Sequence, residues 1–169
     1  MNELMDELKF KEIYDRNADH VFRICYSYMK NKDDAEDIMQ DVFMQLINKN
    51  PKFENEKHER AWLIVTASNL CKNNLKSWKR KQEDISDYEL ELFEEIKEDN
   101  TINIVLNLPE KYKTVIYLYY YEGYSSIEIA KSINKKEATV RSLLKRGRDI
   151  LKLEIGGEFD EEFKNSRCI

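Results

Sequence analysis

The chain has 169 residues, enough for one domain or two small ones, and its net charge of −5 excludes a uniformly basic nucleic-acid-binding protein. Scarce glycine (4) and proline (2), 36% charged residues and 41% apolar residues predict amphipathic helices around packed cores and exclude a disordered chain. No apolar run approaches the roughly 18 residues of a membrane span and no signal region begins the chain, so a cytoplasmic protein without membrane insertion is expected.

The N-terminal third predicts two helices. Residues 4–29 carry apolar side chains at helical spacing, with a break expected at residues 17–19. Asp33 and Asp34 are expected to cap a second helix that ends near Pro51. Its apolar stripe consists of Ile38, Val42, Phe43, Leu46 and Ile47, and its polar face carries Asp37, Gln40, Asp41 and Gln45.

A third helix is predicted over residues 58–81. Its expected core members are Trp62, Leu63, Thr66, Leu70 and Leu75. Residues 60–81 contain six basic and no acidic side chains, and the stripe opposite the core holds Asn69, Lys72, Asn73, Lys76, Lys79, Arg80 and Lys81. Residues 1–81 are therefore predicted to form a three-helix domain with one basic face.

Residues 82–100 carry nine acids and one base, which predicts an acidic linker. A second small helical domain is predicted over residues 101–156, followed by an acidic tail over residues 157–169. In it, Pro109 suits the first turn of a helix that packs Val115 and Ile116 and stops at Gly123. The predicted fold class is thus all-α, with two domains joined by the linker.

The second domain carries the features of a helix-turn-helix. Residues 125–128, SSIE, indicate a capping box, and Asn134 can adopt the left-handed conformation of a tight turn. The helix before the turn is expected to bury Ile129, Ala130 and Ile133. The helix after it, beginning near Glu137, is expected to bury Val140, Leu144 and Leu151.

The outward face of that last helix is basic and polar. It presents Thr139, Arg141, Ser142, Lys145, Arg146 and Arg148, next to Lys136 in the turn. A helix that enters the major groove needs one buried apolar side and one basic, polar outer side, because its outer side chains must reach phosphates and base edges. The alternative, an ordinary solvated helix hairpin, does not account for the capped short helix, tight turn and long basic helix occurring together.

The sequence offers no catalytic, metal-binding or cofactor-binding constellation. Cys25, Cys71 and Cys168 are odd in number and widely spaced, which favours reduced thiols over a disulfide framework. His20 and His58 are the only histidines, and neither has the spacing of a zinc site or nucleophile pair. We therefore expect a protein that is not an enzyme.

Both halves of the chain resemble the extracytoplasmic-function group of the sigma-70 family. DAEDIMQDVFMQLI (34–47) and RAWLIVTASNLCKNNLKSWKRK (60–81) resemble its second region, and residues 106–151 resemble its fourth region. The resemblance covers residues 10–153 in the family's order, with a linker of suitable length. It implies an RNA polymerase sigma factor that directs initiation at specific promoters.

The resemblance also implies roles for the polar faces of the first domain. Asp37, Gln40 and Asp41 would dock on the clamp helices of core RNA polymerase. The third helix would melt and capture the −10 promoter element through Asn69, Lys72, Asn73, Lys76, Lys79 and Arg80, with Asn69 reading a flipped base. Trp62 and Trp78 are assigned to the core rather than to base stacking.

In the second domain the resemblance implies reading of the −35 element as duplex DNA. The residues that would contact it are Lys136, Thr139, Arg141, Ser142, Lys145 and Arg146. Three features depart from the family's pattern: Leu143 where a basic residue is usual, Lys135 and Lys136 in the turn, and Ser68 where a basic residue is common. Family members are commonly held by an anti-sigma factor, a further expected partner.

The alternative function is a free-standing helix-turn-helix regulator that binds operators without polymerase. Such a regulator needs a dimerisation or ligand-sensing domain in place of residues 1–81, and dimer symmetry needs a self-complementary apolar face. The sequence shows an acidic helix face and a basic helix there, which favours the sigma factor.

Overall fold

A computed structural model describes residues 4–81, 105 and 108–155, and every regular element in these ranges is helical. The predicted all-α class is confirmed. The chain divides into two compact units, Met1–Lys97 and Glu98–Ile169. The predicted acidic linker and acidic tail lie outside the described residues. No helix within the described ranges is long and apolar enough to cross a membrane.

Within residues 4–81, the N-terminal unit has three helices that pack against one another in all three pairs: α1 (Glu7–Met29), α2 (Lys32–Lys49) and α3 (Glu56–Lys81). Its core is aliphatic, as the apolar periodicity predicts. The side chains that are most completely buried include Ile13, Val21, Ile24, Val42, Leu46, Leu63 and Ile64. The predicted stripe of α2 is buried except at Ile47, which is half-buried.

The expected break at residues 17–19 is absent, because α1 is continuous through Asn17. The buried Asn17 amide donates to the Ile13 carbonyl at 2.9 Å and to Glu59 Oε1 at 2.7 Å. An asparagine is tolerated inside a helix when its side chain bonds the i−4 carbonyl or a distant partner and does not draw the backbone into a turn. Here the side chain bonds one turn back and across to α3, so the helix continues.

The cap of α2 also differs from the prediction. Asn31, rather than Asp33 or Asp34, is the N-cap, and its side chain accepts from the Asp34 backbone N–H at 3.1 Å. Both aspartates lie in the first helical turn, where negative charge is favourable at the positive end of the helix dipole. The helix ends at Asn50, which is left-handed with φ 37°.

The core face of α3 lies at a different register from the predicted one. Of the predicted core members only Leu63 is fully buried, while Trp62, Thr66, Leu70 and Leu75 are half-buried. Besides Leu63, Ile64 and Glu59, the buried residues are small: Ala61, Ala67, Ser68 and Cys71. Small side chains let a helix lie close to its neighbours, and a search for large apolar residues overlooks them.

The C-terminal unit contains α4 (Glu110–Ile116), a one-turn π-helix (Tyr117–Tyr121), α5 (Ser126–Ile133) and α6 (Glu137–Ile155). Pro109, predicted in the first turn of α4, is its N-cap and so lies one residue before that turn. The segment stops before Gly123, whose φ is 76°, as predicted. The π-turn was not predicted. In it, Glu122 N–H bonds the carbonyl of Tyr117 at 3.1 Å, and the Tyr117 and Tyr121 rings stack with centroids 4.8 Å apart.

The predicted helix-turn-helix geometry is confirmed at its two diagnostic points. Glu128 N–H donates to Ser125 Oγ at 3.2 Å while Ser125 N–H donates to Glu128 Oε2 at 2.8 Å, a complete capping box. Asn134 is left-handed, with φ 55° and ψ 49°. The predicted core of α6 and the pair Ile129 and Ala130 are buried, whereas Ile133 is only half-buried.

Candidate nucleic-acid and polymerase interfaces

The structure brings the predicted duplex-binding residues together on α6 and the turn before it. All six are exposed: Lys136, Thr139, Arg141, Ser142, Lys145 and Arg146. Val140 and Leu144 lie on the opposite side of the helix and are buried. At 100° per residue, this separation leaves a broad polar surface that a DNA groove can approach without disturbing the core.

One acidic residue lies at the edge of this basic face, on the side where α6 meets α5. Glu137 Oε1 accepts from Arg141 Nε at 3.1 Å and lies 2.9 Å from Arg141 Nη2. The same oxygen accepts from Ser126 Oγ, in the first turn of α5, at 3.0 Å. Glu137 thus joins the two helices of the motif to one of its arginines. Sequence reasoning used Glu137 only to mark the helix start, although its i,i+4 spacing to Arg141 was a readable signal.

Two of the three departures from the family's pattern lie in the helix-turn-helix, at Leu143 and at the lysines of the turn. Leu143 is half-buried, at the margin of the α6 face. Lys135 and Lys136 are exposed and add positive charge at the turn. The helix nevertheless starts regularly, with the Val140 N–H bonded to the Lys136 carbonyl at 3.2 Å.

The predicted strand-binding residues of α3 also share one face. Asn69, Asn73 and Lys76 are exposed and Lys72 is half-buried, opposite the buried side of the helix. The side chains of Lys79, Arg80, Lys81 and Trp78 lie outside the described residues. The face therefore combines amides, which can donate to and accept from bases, with cations that can approach phosphates.

Ser68 does not belong to that face. It is buried, and its hydroxyl donates to the Ile64 carbonyl at 2.9 Å. A serine at this position therefore removes no contact from the exposed surface of α3. Where the family commonly has a basic residue, this chain has a buried serine that packs in the core.

Trp62 was assigned to the core, but it is half-buried in an aromatic cluster at the start of α3. Its ring meets Phe53 edge-on with centroids 5.9 Å apart, and Phe53 meets His58 in the same way at 5.6 Å. His58 Nδ1 accepts the Glu54 backbone N–H at 3.2 Å. His58 therefore helps to order the loop before α3, and its ring nitrogen is engaged in that role.

The predicted docking residues lie along the exposed side of α2. Asp37, Gln40 and Asp41 are exposed at i, i+3 and i+4, opposite the buried stripe of the helix. Burial, reinforced by the neighbouring charges of Asp37 and Asp33, raises the pKa of Asp34 above its ordinary value. Burial is the larger cause of this upward shift, and the negative charge at the start of α2 is the smaller one.

An apolar groove adjoins this acidic face and was missed by sequence reasoning. It encloses about 530 Å³ between α1 and α2 and is lined by Phe10, Tyr14, Glu36, Met39, Gln40, Phe43, Met44 and Ile47. Tyr14 and Phe43 form its aromatic floor, with ring centroids 4.8 Å apart. Met44 is 54% exposed, one turn beyond Gln40 and Asp41. An exposed methionine on a charged face was the available signal.

A buried polar network joins α1 to α3 and was also missed. The Glu59 carboxylate, only 5% exposed, accepts from Asn17 and from the Arg16 guanidinium, which reaches Oε2 at 3.1 Å. Arg60 Nε donates to Asn17 Oδ1 at 3.1 Å. The hydrogen bond with Glu59 raises the pKa of Arg16, although burial acts in the opposite direction. The network stabilises the domain that carries both N-terminal interfaces.

The core of the N-terminal unit contains two free thiols. Cys25 and Cys71 are fully buried, and a hydrogen bond with Cys71, together with burial, raises the pKa of Cys25. A raised pKa keeps the thiol protonated and unreactive. Cys168 lies outside the described residues. Across 4–81, 105 and 108–155, no group of three His, Cys, Asp or Glu side chains could hold a metal ion.

Comparison with known proteins gives a consistent result for both units. The family model described as Sigma-70 region 2 matches residues 13–81, and that of Sigma-70, region 4 matches residues 100–151. The chain is 30% identical over 171 residues to the ECF RNA polymerase sigma factor SigW of Bacillus subtilis (strain 168), covering 89% of this chain and 90% of SigW. SigX of the same organism is 25% identical, with 86% and 83% covered.

A solved structure supports the fold. The sigma factor RpoE from Bartonella quintana, solved in complex with the anti-sigma factor NepR, matches with a TM-score of 0.66 at 20% identity. The match covers 88% of this chain and 98% of that chain. At this level of identity the likeness establishes a shared helical architecture.

Proposed function

Since the chain belongs to the extracytoplasmic-function group of the sigma-70 family, we propose that it binds core RNA polymerase and directs transcription initiation at specific promoters. The observation that carries this function is the match of both sigma regions in family order, over units that expose an acidic face on α2 and basic faces on α3 and α6. Sigma factors are not enzymes in general, so the chain supplies recognition while the polymerase supplies catalysis.

The α6 face is proposed to read the −35 element in the major groove. Arg141 and Arg146 can each offer paired donors to guanine O6 and N7. Lys136 and Lys145 suit phosphates, which position the helix without reading sequence. Thr139 and Ser142 can contact either phosphates or bases. Exposure of all six side chains on one surface supports this assignment.

The α3 face is proposed to hold the separated strand of the −10 element. Asn69 and Asn73 carry amides that can bond the Watson–Crick edge of an unpaired base, since each offers both a donor and an acceptor. Lys72 and Lys76 lie one turn apart on the same face and are proposed to follow the phosphates. Lys79 and Arg80, further along the sequence, are also proposed to bind the DNA strand.

The α2 face is proposed to dock on the polymerase. Asp37, Gln40 and Asp41 would meet a basic helical surface of the partner, where opposite charges steer association. The groove beside Gln40 and Met44 would accept an apolar side chain of the same partner. Methionine suits this role because its flexible thioether adapts to the shape of an inserted group.

A free-standing regulator would use the same α6 face, so the helix-turn-helix alone does not distinguish the two functions. The N-terminal unit does distinguish them, because an acidic face repels DNA and suits a basic protein partner.

By likeness to RpoE, which was solved with NepR, an anti-sigma factor is proposed as a further partner. A cytoplasmic location is proposed because core polymerase works there.

Run-off transcription tests the proposed function. Purified core polymerase is combined with a library of genomic fragments, with and without the chain, and transcript starts are sequenced. Discrete transcripts that require the chain and share two upstream sequence elements are expected. Core polymerase alone and the chain alone are the controls. Tight operator binding by the chain alone, with no chain-dependent transcripts, would favour the free-standing regulator.

A further inference from the structure

The carboxylate of Glu137 lies where the two helices of the DNA-binding motif meet. It belongs to the first turn of α6, and its Oε1 accepts from Ser126 Oγ of α5 at 3.0 Å. Arg141, one turn further along α6, places Nε at 3.1 Å and Nη2 at 2.9 Å from the same oxygen. An otherwise exposed arginine, with 72% of its side chain accessible, is thereby connected to both helices.

The geometry of this contact determines which part of the guanidinium faces away from the protein. Arg141 uses the edge formed by Nε and Nη2 to meet Glu137, so the end formed by Nη1 and Nη2 points away from that carboxylate. Two parallel N–H donors at that end match guanine O6 and N7. An arginine released from Glu137 can turn its donors toward the nearest phosphate instead.

We propose that Glu137 is a positioning residue that orients Arg141 toward base edges and thereby sets promoter discrimination. This inference rests on the proposed function of α6 as the duplex reader. Ser126 of α5 supports this orientation, because its hydroxyl donates a hydrogen bond to the Glu137 carboxylate. The negative charge of Glu137 also disfavours phosphates beside Arg141, so Glu137 lowers binding to DNA that lacks the correct bases.

The size of the effect follows from the kind of contact. An exposed i,i+4 ion pair changes the population of the paired Arg141 conformation by about twofold. The hydrogen bond from Ser126 to Glu137 adds to that effect. We therefore expect Glu137→Ala to reduce the ratio of promoter to non-promoter affinity by about two- to fivefold. The absolute affinity for non-promoter DNA should rise, because one negative charge is removed.

The experiment measures binding of the full chain, assembled with core polymerase, to two DNA fragments. One carries a promoter recovered by run-off transcription, and the other carries the same promoter with its −35 element scrambled. Asp149→Ala is the matched control, since it removes an exposed acid from the same helix far from Arg141. It should raise both affinities alike and leave their ratio unchanged. Circular dichroism checks that each variant folds.

Two further variants separate positioning from direct reading. Ser126→Ala leaves every charge in place and should lower the ratio in the same direction as Glu137→Ala, by a smaller factor. In an Arg141→Ala background, Glu137→Ala should no longer change the ratio. That pattern would establish that Glu137 acts through Arg141.

Three results would overturn the inference or its premise. An unchanged ratio in Glu137→Ala refutes the positioning role. An equal fall in the ratio with and without Arg141 shows that Glu137 contacts DNA by itself, which also refutes it. If Arg141→Ala alone leaves the ratio unchanged, the failure lies in the proposed function of Arg141, on which the inference depends.

Discussion

Gly147 shows how one residue determines the position of the basic helix. A Cβ at this position would lie 2.8 Å from Ile116 Cγ1 and 2.9 Å from Ile116 Cδ1, closer than packed carbon atoms allow. Gly147 is buried, and glycine permits α6 to pass this close to α4. From sequence alone, a glycine in a helix indicates only a lower helix propensity, so its packing role was not predicted.

We expect Gly147→Ala to destabilise the C-terminal unit by about 1–3 kcal/mol, the usual effect of overpacking a core. At an open helical position the same change would stabilise by up to about 1 kcal/mol, so the sign of the effect is diagnostic. The measurement is the free energy of opening from hydrogen exchange in peptides covering α4 and α6.

Ile116→Ala provides the control for this prediction, because it removes both atoms that the new methyl group would meet. The double variant should lose less stability than the sum of the two single variants. Strict additivity, or a stabilising Gly147→Ala, would contradict the proposed contact between α4 and α6.

At the scale of elements, the joint between α1 and α3 depends on a buried carboxylate. Glu59 is 5% exposed and accepts from Arg16 and Asn17, whereas Glu56 approaches Arg16 only to 3.8 Å with 73% of its side chain exposed. Removing the Glu59 carboxylate leaves one N–H of the buried Asn17 amide without its acceptor and the half-buried Arg16 without its nearest counter-charge. An exposed pair is screened by water and contributes little.

Glu59→Ala should therefore lower the free energy of unfolding of the N-terminal unit by about 1–3 kcal/mol. Glu56→Ala should change it by less than about 0.5 kcal/mol. Both variants remove one carboxylate near Arg16, so burial and the hydrogen bond from Asn17 are the differences between them. Protection of α1 and α3 amides in hydrogen exchange gives the measurement, and equal losses in the two variants would refute the role of the network.

The same elements show where sequence patterns are informative. The predicted core stripes of α2 and α6 are largely correct, because each helix turns one apolar face toward a single core. For α3 the pattern failed, since much of its buried face consists of the small residues Ala61, Ala67, Ser68 and Cys71, which hydrophobic periodicity does not weight. Asn17 was read as a break because its partner, Glu59, is 42 positions away in the sequence.

At the scale of the whole molecule, the proposed function divides polymerase docking and DNA reading between two units. Arg141→Ala should weaken −35 binding and transcription by roughly one base contact, about 1–3 kcal/mol, while co-purification with core polymerase is retained. Asp37→Arg should abolish co-purification, because it places a cation on the acidic face, while DNA binding by α6 is retained.

The two variants are each other's control, and the measurements are pull-down with core polymerase and binding to promoter duplex. Loss of polymerase binding in Arg141→Ala, or of duplex binding in Asp37→Arg, would contradict this division. Asp19→Arg makes the same change of charge at an exposed position on α1, and it tests whether net charge alone explains the Asp37 result.

The sequence by itself determined the fold class, the capping box, the turn at Asn134 and which residues of α6 face outward, because these depend on contacts within a few residues. Tertiary structure decided the continuity of α1, the core face of α3, the groove beside Gln40 and the role of Gly147. Each depends on atoms brought together from distant positions in the chain. The helix-turn-helix was thus readable from local chemistry, whereas the coupling of Ser126, Glu137 and Arg141 required the packing of α5 against α6.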